Sequence, residues 1–305
     1  MIFRYKYRGG TWIDLEQPTE EEIREISREF SINERIEKEM LSPTPMPLVI
    51  DGDTNALLIL HFPAQGAEEV ETKSQEIDFV VGADFIVTTR YEVIAPVHHL
   101  KKLFETRNLV TGHESITTDV LLEILFAHLY SSVRDHTNHI TKYLESIEKE
   151  MFDGHERTTV RAVSNISRAF LHLESELANQ EEPLIRFLRA HTIREFFNDS
   201  FSERAERILE ERSQVMRLVR THRAVAIEMR ETNSALLESR QNEIMKTLTV
   251  ITFSMLPLEL ITLIFGMGMP GTPFERNPQA FWIVMALMVI TVACTIFFLI
   301  KKRWL

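Results

Sequence analysis

Polar side chains recur on one side of an apolar stretch near the C-terminal end of the chain. The stretch runs from Lys246 to Gly268 (KTLTVITFSMLPLELITLIFGMG) and carries a carboxylate, Glu259, two residues after Pro257. Helices that pack side by side repeat their contacts every 3.5 residues. Positions at this spacing form one stripe along the predicted helix. This polar stripe consists of Asn242, Met245, Thr249, Thr252, Leu256, Glu259 and Leu263. A charged side chain at membrane depth usually faces a water-filled cavity or a partner, so the stripe predicts contact with water and ions.

Glu259 has three interpretations. It faces a pore, or it is protonated and hydrogen-bonded between helices, or its carboxyl group extends outward to the membrane surface. We favour the pore because Thr249 and Thr252 share its stripe and neither apolar segment contains a basic partner. One helix cannot enclose a cavity, so this hypothesis requires several copies of the chain around an axis. The sequence therefore predicts a homo-oligomeric pore lined by the first apolar segment.

Two segments are long enough to cross a lipid bilayer. Leu248–Gly266 and Phe281–Ile300 provide 19 and 20 mostly apolar residues, close to the number that a crossing needs. Basic residues lie before the first segment and after the second, whereas the loop between them has only Glu275 and Arg276 as charged residues. The positive-inside rule then predicts a multi-pass protein of the inner or plasma membrane, with both termini in the cytoplasm.

Long helices are predicted between the first hundred residues and the membrane. From Ser115 onward glycine and proline are rare and apolar residues recur at spacings of three and four. We predict one helix to Phe152, a turn at residues 153–155, a second helix over 158–189, and a third from about Asn198 without a strong breaker before Pro257. A helix from 200 to 266 would be roughly 100 Å long and must pack along neighbours.

The first hundred residues predict a mixed α/β domain with a modest sheet. Strand patterns surround the glycine pair at 9–10, and hairpin patterns cover 48–62 and 77–89, with the acidic segment 65–74 as a loop. Between the first two strand regions, Thr19 and Glu22 have the spacing of a capping box that starts a helix. Two short helices, ending near Phe30 and Leu41, and a helix over 94–106 complete the domain.

Composition excludes several classes of function. The net charge is −11, and residues 247–305 carry two acidic and four basic side chains, so the first 246 residues carry −13. Such an acidic soluble part argues against binding of nucleic acid. Cys294 is the single cysteine and lies in the second apolar segment, so no disulfide framework is expected. We find no apolar signal region at the N-terminus and no phosphate-binding loop or catalytic triad order, so no enzyme activity and no cofactor are expected.

Histidines offer a second candidate metal site. His136 and His139 are three residues apart on a predicted helix beside Asp135, a spacing that can hold Zn²⁺. His98 and His99 form another pair. The simpler interpretation is that both pairs lie on polar faces of surface helices.

The residues around the polar stripe resemble the CorA family of magnesium transporters. The similarity includes NEIMKTLTVITFSMLPLELITLIFGMG, the short loop, the second crossing and the terminal KKRWL. Three N-terminal segments, WIDLEQPTEEEI (Trp12–Ile23), EIDFVVGADFIVTT (Glu76–Thr89) and VHHLKKLFE (Val97–Glu105), are similar to that family in the same order. The resemblance covers essentially the whole chain, and its C-terminal motifs are the specific part.

The resemblance implies an α+β membrane protein that forms a homopentameric funnel. Divalent cations would be its transported substrate and the lipid bilayer its surroundings. Its expected parts are an α/β cytoplasmic domain (1–110), a cytoplasmic helical stalk (111–246), the pore-lining crossing (247–268), an outer loop (269–280), the second crossing (281–300) and a basic tail (301–305). The polar stripe matches rings of the family pore, and Lys301, Lys302 and Arg303 match its basic collar at the cytoplasmic mouth.

Two positions depart from the family pattern. The outer-mouth motif Gly-Met-Asn corresponds to Gly266, Met267 and Gly268 here, so the asparagine side chain that contacts a hydrated cation is absent. Glu259 stands where many members have a neutral hydroxyl residue. The residues that follow, from Met269, are similar to the zinc-transporting ZntB branch. The altered motif also fits the CmaX-like branch. Arg207 stands where the regulatory metal sites of the family have an acid, so gating by bound Mg²⁺ is not expected.

We hypothesise that Glu259 forms a cation-binding, proton-sensitive ring that partly replaces the lost asparagine. Five carboxylates facing one another would repel unless a cation or protons lay among them. The predicted function is a channel or transporter for a divalent cation such as Mg²⁺, Zn²⁺, Co²⁺ or Ni²⁺. The alternative is a non-conducting member of the family that acts as a membrane-bound sensor or scaffold.

Overall fold

A computed structural model describes residues 2–65, 72–111, 116–154, 156–197, 200–266 and 279–301. The chain divides into two compact units, Met1–Glu231 and Thr232–Leu305. The first unit contains a sheet with helices on both faces, and the second contains the apolar C-terminal helices. The fold is that expected from the sequence, with an N-terminal α/β domain, a long helix and two candidate membrane crossings.

Six strands form one sheet in the first unit. They are β1 (Ile2–Tyr7), β2 (Gly10–Glu16), β3 (Leu48–Asp51), β4 (Ala56–Gln65), β5 (Thr72–Val81) and β6 (Phe85–Arg90). Their order is β1-β2-β6-β5-β4-β3, and neighbours are antiparallel except for the parallel pair β2 and β6. The predicted hairpins are confirmed. The predicted acidic loop is too long, because β4 and β5 pair as far as Gln65 with Thr72 and take up both of its ends.

Two short helices cover one face of the sheet. Helix α1 (Glu20–Glu29) begins with the predicted capping box, in which the Thr19 hydroxyl accepts from the Glu22 N–H and the Glu22 carboxylate accepts from the Thr19 N–H. Helix α2 (Glu34–Glu39) is capped by the Asn33 side chain. Ile26 and Ile36 are fully buried in the core that these helices share with the sheet. Burial of this apolar face stabilises the layer.

The opposite face of the sheet is covered by longer helices. They are α3 (Ala95–Thr111), α4 (Thr118–Phe152), α5 (Glu156–Asn179), α6 (Glu181–Arg189) and α7 (His191–Phe196). The Phe79 ring from β5 stacks on Phe126 of α4, 5.0 Å between centroids. The predicted single helix over 158–189 is wrong: it is interrupted at Gln180, where Pro183 has no N–H to donate to the Asn179 carbonyl.

Helix α8 (Ser200–Gly266) is the uninterrupted helix expected from the absence of breakers, with Pro257 inside it. Within the first unit its arginines bind the preceding helices. Arg212 is almost fully buried and donates from Nη1 to the Leu177 carbonyl at 2.6 Å. Arg220 and Arg223 both contact the Glu174 carboxylate of α5, at 3.0 and 2.6 Å. These contacts fix the first half of α8 on the α/β domain.

Buried polar groups tie β2, β6 and α3 together. Asp14 is fully buried and accepts from the Thr88 hydroxyl at 2.8 Å, from Arg90 Nη2 at 3.0 Å and from Lys101 Nζ at 3.0 Å. The Arg90 guanidinium is itself fully buried and also contacts Glu16. Since each of these charges has an opposite partner, the network satisfies the requirement for ions in a protein interior.

A second buried cluster lies on β4 and β5. The His61 imidazole contacts the Glu76 carboxylate at 3.4 Å and donates to the Thr44 carbonyl at 2.9 Å. The hydrogen bond that His61 donates to the Glu76 carboxylate raises the pKa of His61. Burial, followed by the nearby Glu76 charge, raises the pKa of Asp78 well above its usual range. Asp78 therefore retains its proton to a higher pH than an exposed aspartate does.

Candidate functional site

The seven residues of the polar stripe lie on one face of α8 in the second unit. All seven are exposed in the single chain, Met245 by 53%, Leu256 by 58% and Leu263 by 60%. The structure thus confirms that they share a helix and that no described part of the same chain covers them. Their role in an ion pathway stays a prediction at this point.

The opposite face of the same helix segment is partly covered. The half-buried residues between Val250 and Gly266 are Val250, Ser254, Pro257, Leu258, Ile261 and Phe265. At about 100° per residue, their mean direction differs from that of the polar stripe by roughly 180°. Sequence periodicity alone did not identify this covered face. The polar stripe is therefore the more exposed face of this helix segment.

Helix α9 (Ala280–Lys301) is the second apolar helix of this unit. Its half-buried residues also form one stripe, which consists of Ile283, Val284, Met288, Thr291, Val292 and Thr295. Both α8, in its C-terminal part, and α9 are long and apolar enough to cross a membrane, and no residue of either apolar window is buried.

Glu259 is exposed on the polar stripe, one turn beyond Leu256. Within the part of the chain that the structure describes, no basic side chain forms an ion pair with it. Pro257 lies on the half-buried face and has no N–H for the carbonyl four residues earlier, that of Phe253. The acid and the proline thus lie on different sides of the helix, and the acid lies on the uncovered one.

The threonines of the stripe are bonded to their own helix. The Thr249 hydroxyl donates to the Met245 carbonyl at 2.8 Å, and the Thr252 hydroxyl donates to the Leu248 carbonyl at 2.9 Å. Thr247 and Thr262, which lie off the stripe, make the same type of bond at 3.0 and 2.8 Å. The sequence gives no indication of this hydroxyl orientation, because a threonine can also donate to water or to a neighbouring helix.

The predicted outer-mouth motif is described only at its first residue. Gly266 ends α8, and a Cβ atom added there would meet nothing within 4 Å. Met267 and Gly268 lie outside the described residues, as do Lys302 and Arg303 of the predicted basic collar. Lys301 is the last residue of α9 and is exposed. The motif and the collar therefore stay predictions.

The two histidine pairs differ in their surroundings. His136 is buried, with Nε2 3.2 Å from the Thr72 hydroxyl, whereas His139 on the same helix is exposed. The ring centroids of His98 and His99 are 6.5 Å apart. Among the residues that the structure describes, no group of three or more His, Cys, Asp or Glu side chains is placed to hold a metal ion. His139 lies on the helix surface, as the simpler interpretation expects. His136 does not, and its burial lowers its pKa to about 4.

Arg207 lies in an ion-pair cluster between the starts of α4 and α8. Its Nε donates to the Glu123 carboxylate at 2.5 Å, and Arg204 bridges Glu123 and Asp119 at 2.8 Å each. The hydrogen bond from Arg207, together with that from Arg204, lowers the pKa of Glu123. Both acids are thus paired with guanidinium groups of their own chain. The absence of regulation by Mg²⁺ stays a prediction.

Comparison with known proteins identifies the family. The family model described as CorA-like Mg2+ transporter protein matches residues 7–303. The cobalt/magnesium transport protein CorA of Methanocaldococcus jannaschii is 24% identical over 294 residues, which cover 96% of this chain and 91% of that protein.

Solved structures show the same fold. The complete CorA magnesium transporter from Methanocaldococcus jannaschii superposes with a TM-score of 0.84 at 22% identity, covering 99% of this chain and 94% of that one. The full-length CmaX protein gives a TM-score of 0.63 at 19% identity, with coverage of 97% and 89%. Together with the match over residues 7–303, these likenesses show that the chain belongs to the CorA family, whose members are membrane transporters of ions and not enzymes.

Proposed function

We propose that this protein conducts divalent cations through a homopentameric pore lined by the polar stripe of α8. The observation that carries the proposal is the opposition of two faces on one helix. The face from Val250 to Phe265 is half-buried, whereas the face with Glu259 and two threonines is exposed. A face with a carboxylate is costly against lipid and is stabilised against water and ions.

Oligomerisation follows from the segment of α8 that precedes the membrane. Residues 238–249 are all exposed in the single chain, and they include the apolar Ile244, Met245 and Leu248 at 53–60% exposure. A helix with such a surface gains stability by packing against copies of itself. Five copies are proposed because the family resemblance implies a pentamer. The polar stripes would then meet at the common axis.

Glu259 is the proposed cation-binding ring. With glycine at position 268, the three-residue motif at 266–268 has no side-chain amide, and the Glu259 carboxylate is the strongest oxygen ligand on the exposed face of α8. Carboxylate oxygens suit hard divalent cations, of which Mg²⁺ and Co²⁺ are named for the relatives. Five facing carboxylates bind either cations or protons, so transport is proposed to depend on pH.

We propose that the protein lies in the inner or plasma membrane with both termini in the cytoplasm. Basic residues flank the two crossings on the side of the termini, as the positive-inside rule requires. No phosphate-binding loop accompanies the sequence, and passive flow down the electrochemical gradient is the proposed mode of transport. The acidic first unit would then face the cytoplasm.

Flux measurements on proteoliposomes test the proposal. Purified protein should carry at least one of Mg²⁺, Co²⁺, Ni²⁺ and Zn²⁺ above the rate of empty liposomes, and Glu259→Gln should change the rate, the ion preference or the pH dependence. Glu243→Gln is the matched control, because Glu243 lies on the same helix, exposed but off the stripe. Absence of flux for every ion would favour the sensor or scaffold function instead. An unchanged Glu259→Gln variant in a conducting protein would refute only the role of Glu259.

A further inference from the structure

Two buried carboxylates lie side by side on β5 with different surroundings. Glu76 and Asp78 are two residues apart on the strand, so both side chains face the same side of the sheet. The Glu76 carboxylate accepts from the Thr44 N–H at 2.8 Å and from the Thr44 hydroxyl at 3.2 Å, and it lies 3.4 Å from His61 Nε2. Asp78 is fully buried, and within the described residues its Oδ1 atom has no hydrogen-bond partner. The surroundings of Glu76 therefore suit a charged carboxylate, and those of Asp78 suit a neutral acid.

The hydrogen bonds of Tyr91 place a proton on Asp78. The Tyr91 hydroxyl oxygen lies 2.9 Å from the Met40 carbonyl oxygen and 3.3 Å from Asp78 Oδ2. A tyrosine hydroxyl has one proton, and a carbonyl oxygen can only accept. If Tyr91 donates to Met40, its contact with Asp78 is a hydrogen bond only when Asp78 carries a proton and donates it to the hydroxyl oxygen. This arrangement satisfies all three groups, and the raised pKa of Asp78 agrees with it.

Tyr91 and Glu76 hold the chain that leads from α2 to β3. Residues 42–47 of this connection, called here the proline segment, include three prolines, which have no N–H. Met40, whose carbonyl accepts from Tyr91, ends α2 just before the segment. Inside the segment, Thr44 donates both its N–H and its hydroxyl to Glu76. The segment is thus fixed to the sheet by groups that surround the two acids.

We propose that the proton on Asp78 holds the proline segment on the sheet, and that loss of this proton at alkaline pH releases the segment. An ionised Asp78 competes with Met40 for the single Tyr91 proton, so one of the two acceptors loses its hydrogen bond. It also puts a second negative charge beside Glu76 in a buried site, where two like charges repel and need water. Because most of the proline segment is exposed, its opening can admit that water.

The other titratable groups around the two acids do not remove this effect. Glu39 of α2 adds a negative charge near Asp78, which favours the protonated form. His61 of β4 is the basic group of the cluster, but it contacts Glu76, and Glu176 of α5 acts on the same imidazole. Since the folded chain holds the Asp78 proton more tightly than an opened one, the closed segment is favoured at low pH and lost as the pH rises. The inference does not depend on the proposed pore.

Hydrogen exchange of the proline segment tests the inference. Asp78→Asn is neutral at every pH, and its amide can donate to Tyr91 as the protonated acid does, so this variant should keep the segment closed. Exchange in peptides covering 42–47 is measured by mass spectrometry on the full chain in detergent, and comparing parent and variant at the same pH cancels the chemical dependence of exchange on pH. The two should agree at about pH 6, and by about pH 9 the parent should exchange about tenfold faster, the effect of losing one buried hydrogen bond. Asp51→Asn is the matched control and should follow the parent, because Asp51 is an exposed aspartate of β3.

Tyr91→Phe provides a second measurement, since it removes the hydroxyl between Asp78 and Met40. Its proline segment should exchange faster than that of the parent at about pH 6, where the parent is closed. Equal exchange of the parent and Asp78→Asn at every pH, or a parental segment that opens as the pH falls, would overturn the inference. A Tyr91→Phe variant as protected as the parent at about pH 6 would overturn it as well. Because no ion flux is measured, these results are separate from the test of the proposed pore.

Discussion

Replacement of Asp14 by asparagine should destabilise the first unit strongly. The carboxylate is fully buried and neutralises two cations, Arg90 at 3.0 Å and Lys101 at 3.0 Å. Asparagine has nearly the same volume, so the change removes the charge without leaving a cavity. It also directs an NH₂ donor at groups that are themselves donors. The guanidinium of Arg90 has no exposed surface through which water could compensate.

The magnitude follows from the burial of the partners. Removing one member of a buried ion pair costs about 3–5 kcal/mol, because the remaining charge lacks a counter-ion in a medium of low dielectric constant. Glu16 stays close to Arg90 and to Lys101 and reduces this cost, so we expect about 3 kcal/mol. Domains are stable by only about 5–15 kcal/mol, so the loss is a large fraction of the total.

Asp78→Asn is the matched control, since it is the same chemical change at a buried aspartate of the same sheet. Burial and the Glu76 charge raise the pKa of Asp78, so a neutral amide resembles the form that the fold favours. We expect a change of less than about 1 kcal/mol or a slight gain. Urea unfolding of the full chain in detergent, followed by circular dichroism, measures both variants. Equal destabilisation by the two changes, or no effect of Asp14→Asn, would refute the reasoning.

Two further predictions concern the same unit. Burial lowers the pKa of His136 to about 4 from an ordinary 6.5, so between these values the unfolded chain binds a proton that the folded chain does not. The stability of the fold should therefore fall as the pH falls from about 6.5 to about 4. Thermal unfolding at a series of pH values should show a smaller change for His136→Gln than for the parent. Thr19→Ala removes the hydroxyl that accepts from the Glu22 N–H and should cost about 1 kcal/mol by urea unfolding, whereas alanine at the exposed Arg24 should change stability by less than about half of that.

Local patterns predicted much of the fold. The capping box at Thr19, the hairpins, and the long α8 depend on residues close in sequence, so periodicity and turn chemistry were sufficient. The helix over 158–189 was predicted as continuous because glycine and proline are rare in this part of the chain, although Pro183 lies within it. The structure resolves this as two helices meeting at Gln180, whose side chain donates to the His61 carbonyl from 119 residues away.

Polar contacts between residues far apart in sequence could not be predicted. Asp14 meets Arg90 and Lys101 across 76 and 87 residues, and no local pattern distinguishes these three charges from surface ones. The polar stripe, in contrast, was predictable because seven positions repeat at a helical period. Which face of the C-terminal part of α8 is half-buried was not predictable, since burial depends on packing that the sequence does not specify. The polarity of the threonine hydroxyls likewise required coordinates.

The distribution of acids and bases supports an ion that comes from solution. In the first unit, three carboxylates are paired with arginines of the same chain: Asp14 with Arg90, Glu123 with Arg207, and Glu174 with Arg223. In the described part of the membrane unit, Glu259 has no such partner, although its surroundings make an unpaired charge more costly. A carboxylate that the chain itself does not neutralise must be neutralised by a proton or by a cation from the aqueous phase. We propose that Glu259 exchanges a proton or a cation with the aqueous phase, and the comparison of Glu259→Gln with Glu243→Gln across pH distinguishes the proton from the metal.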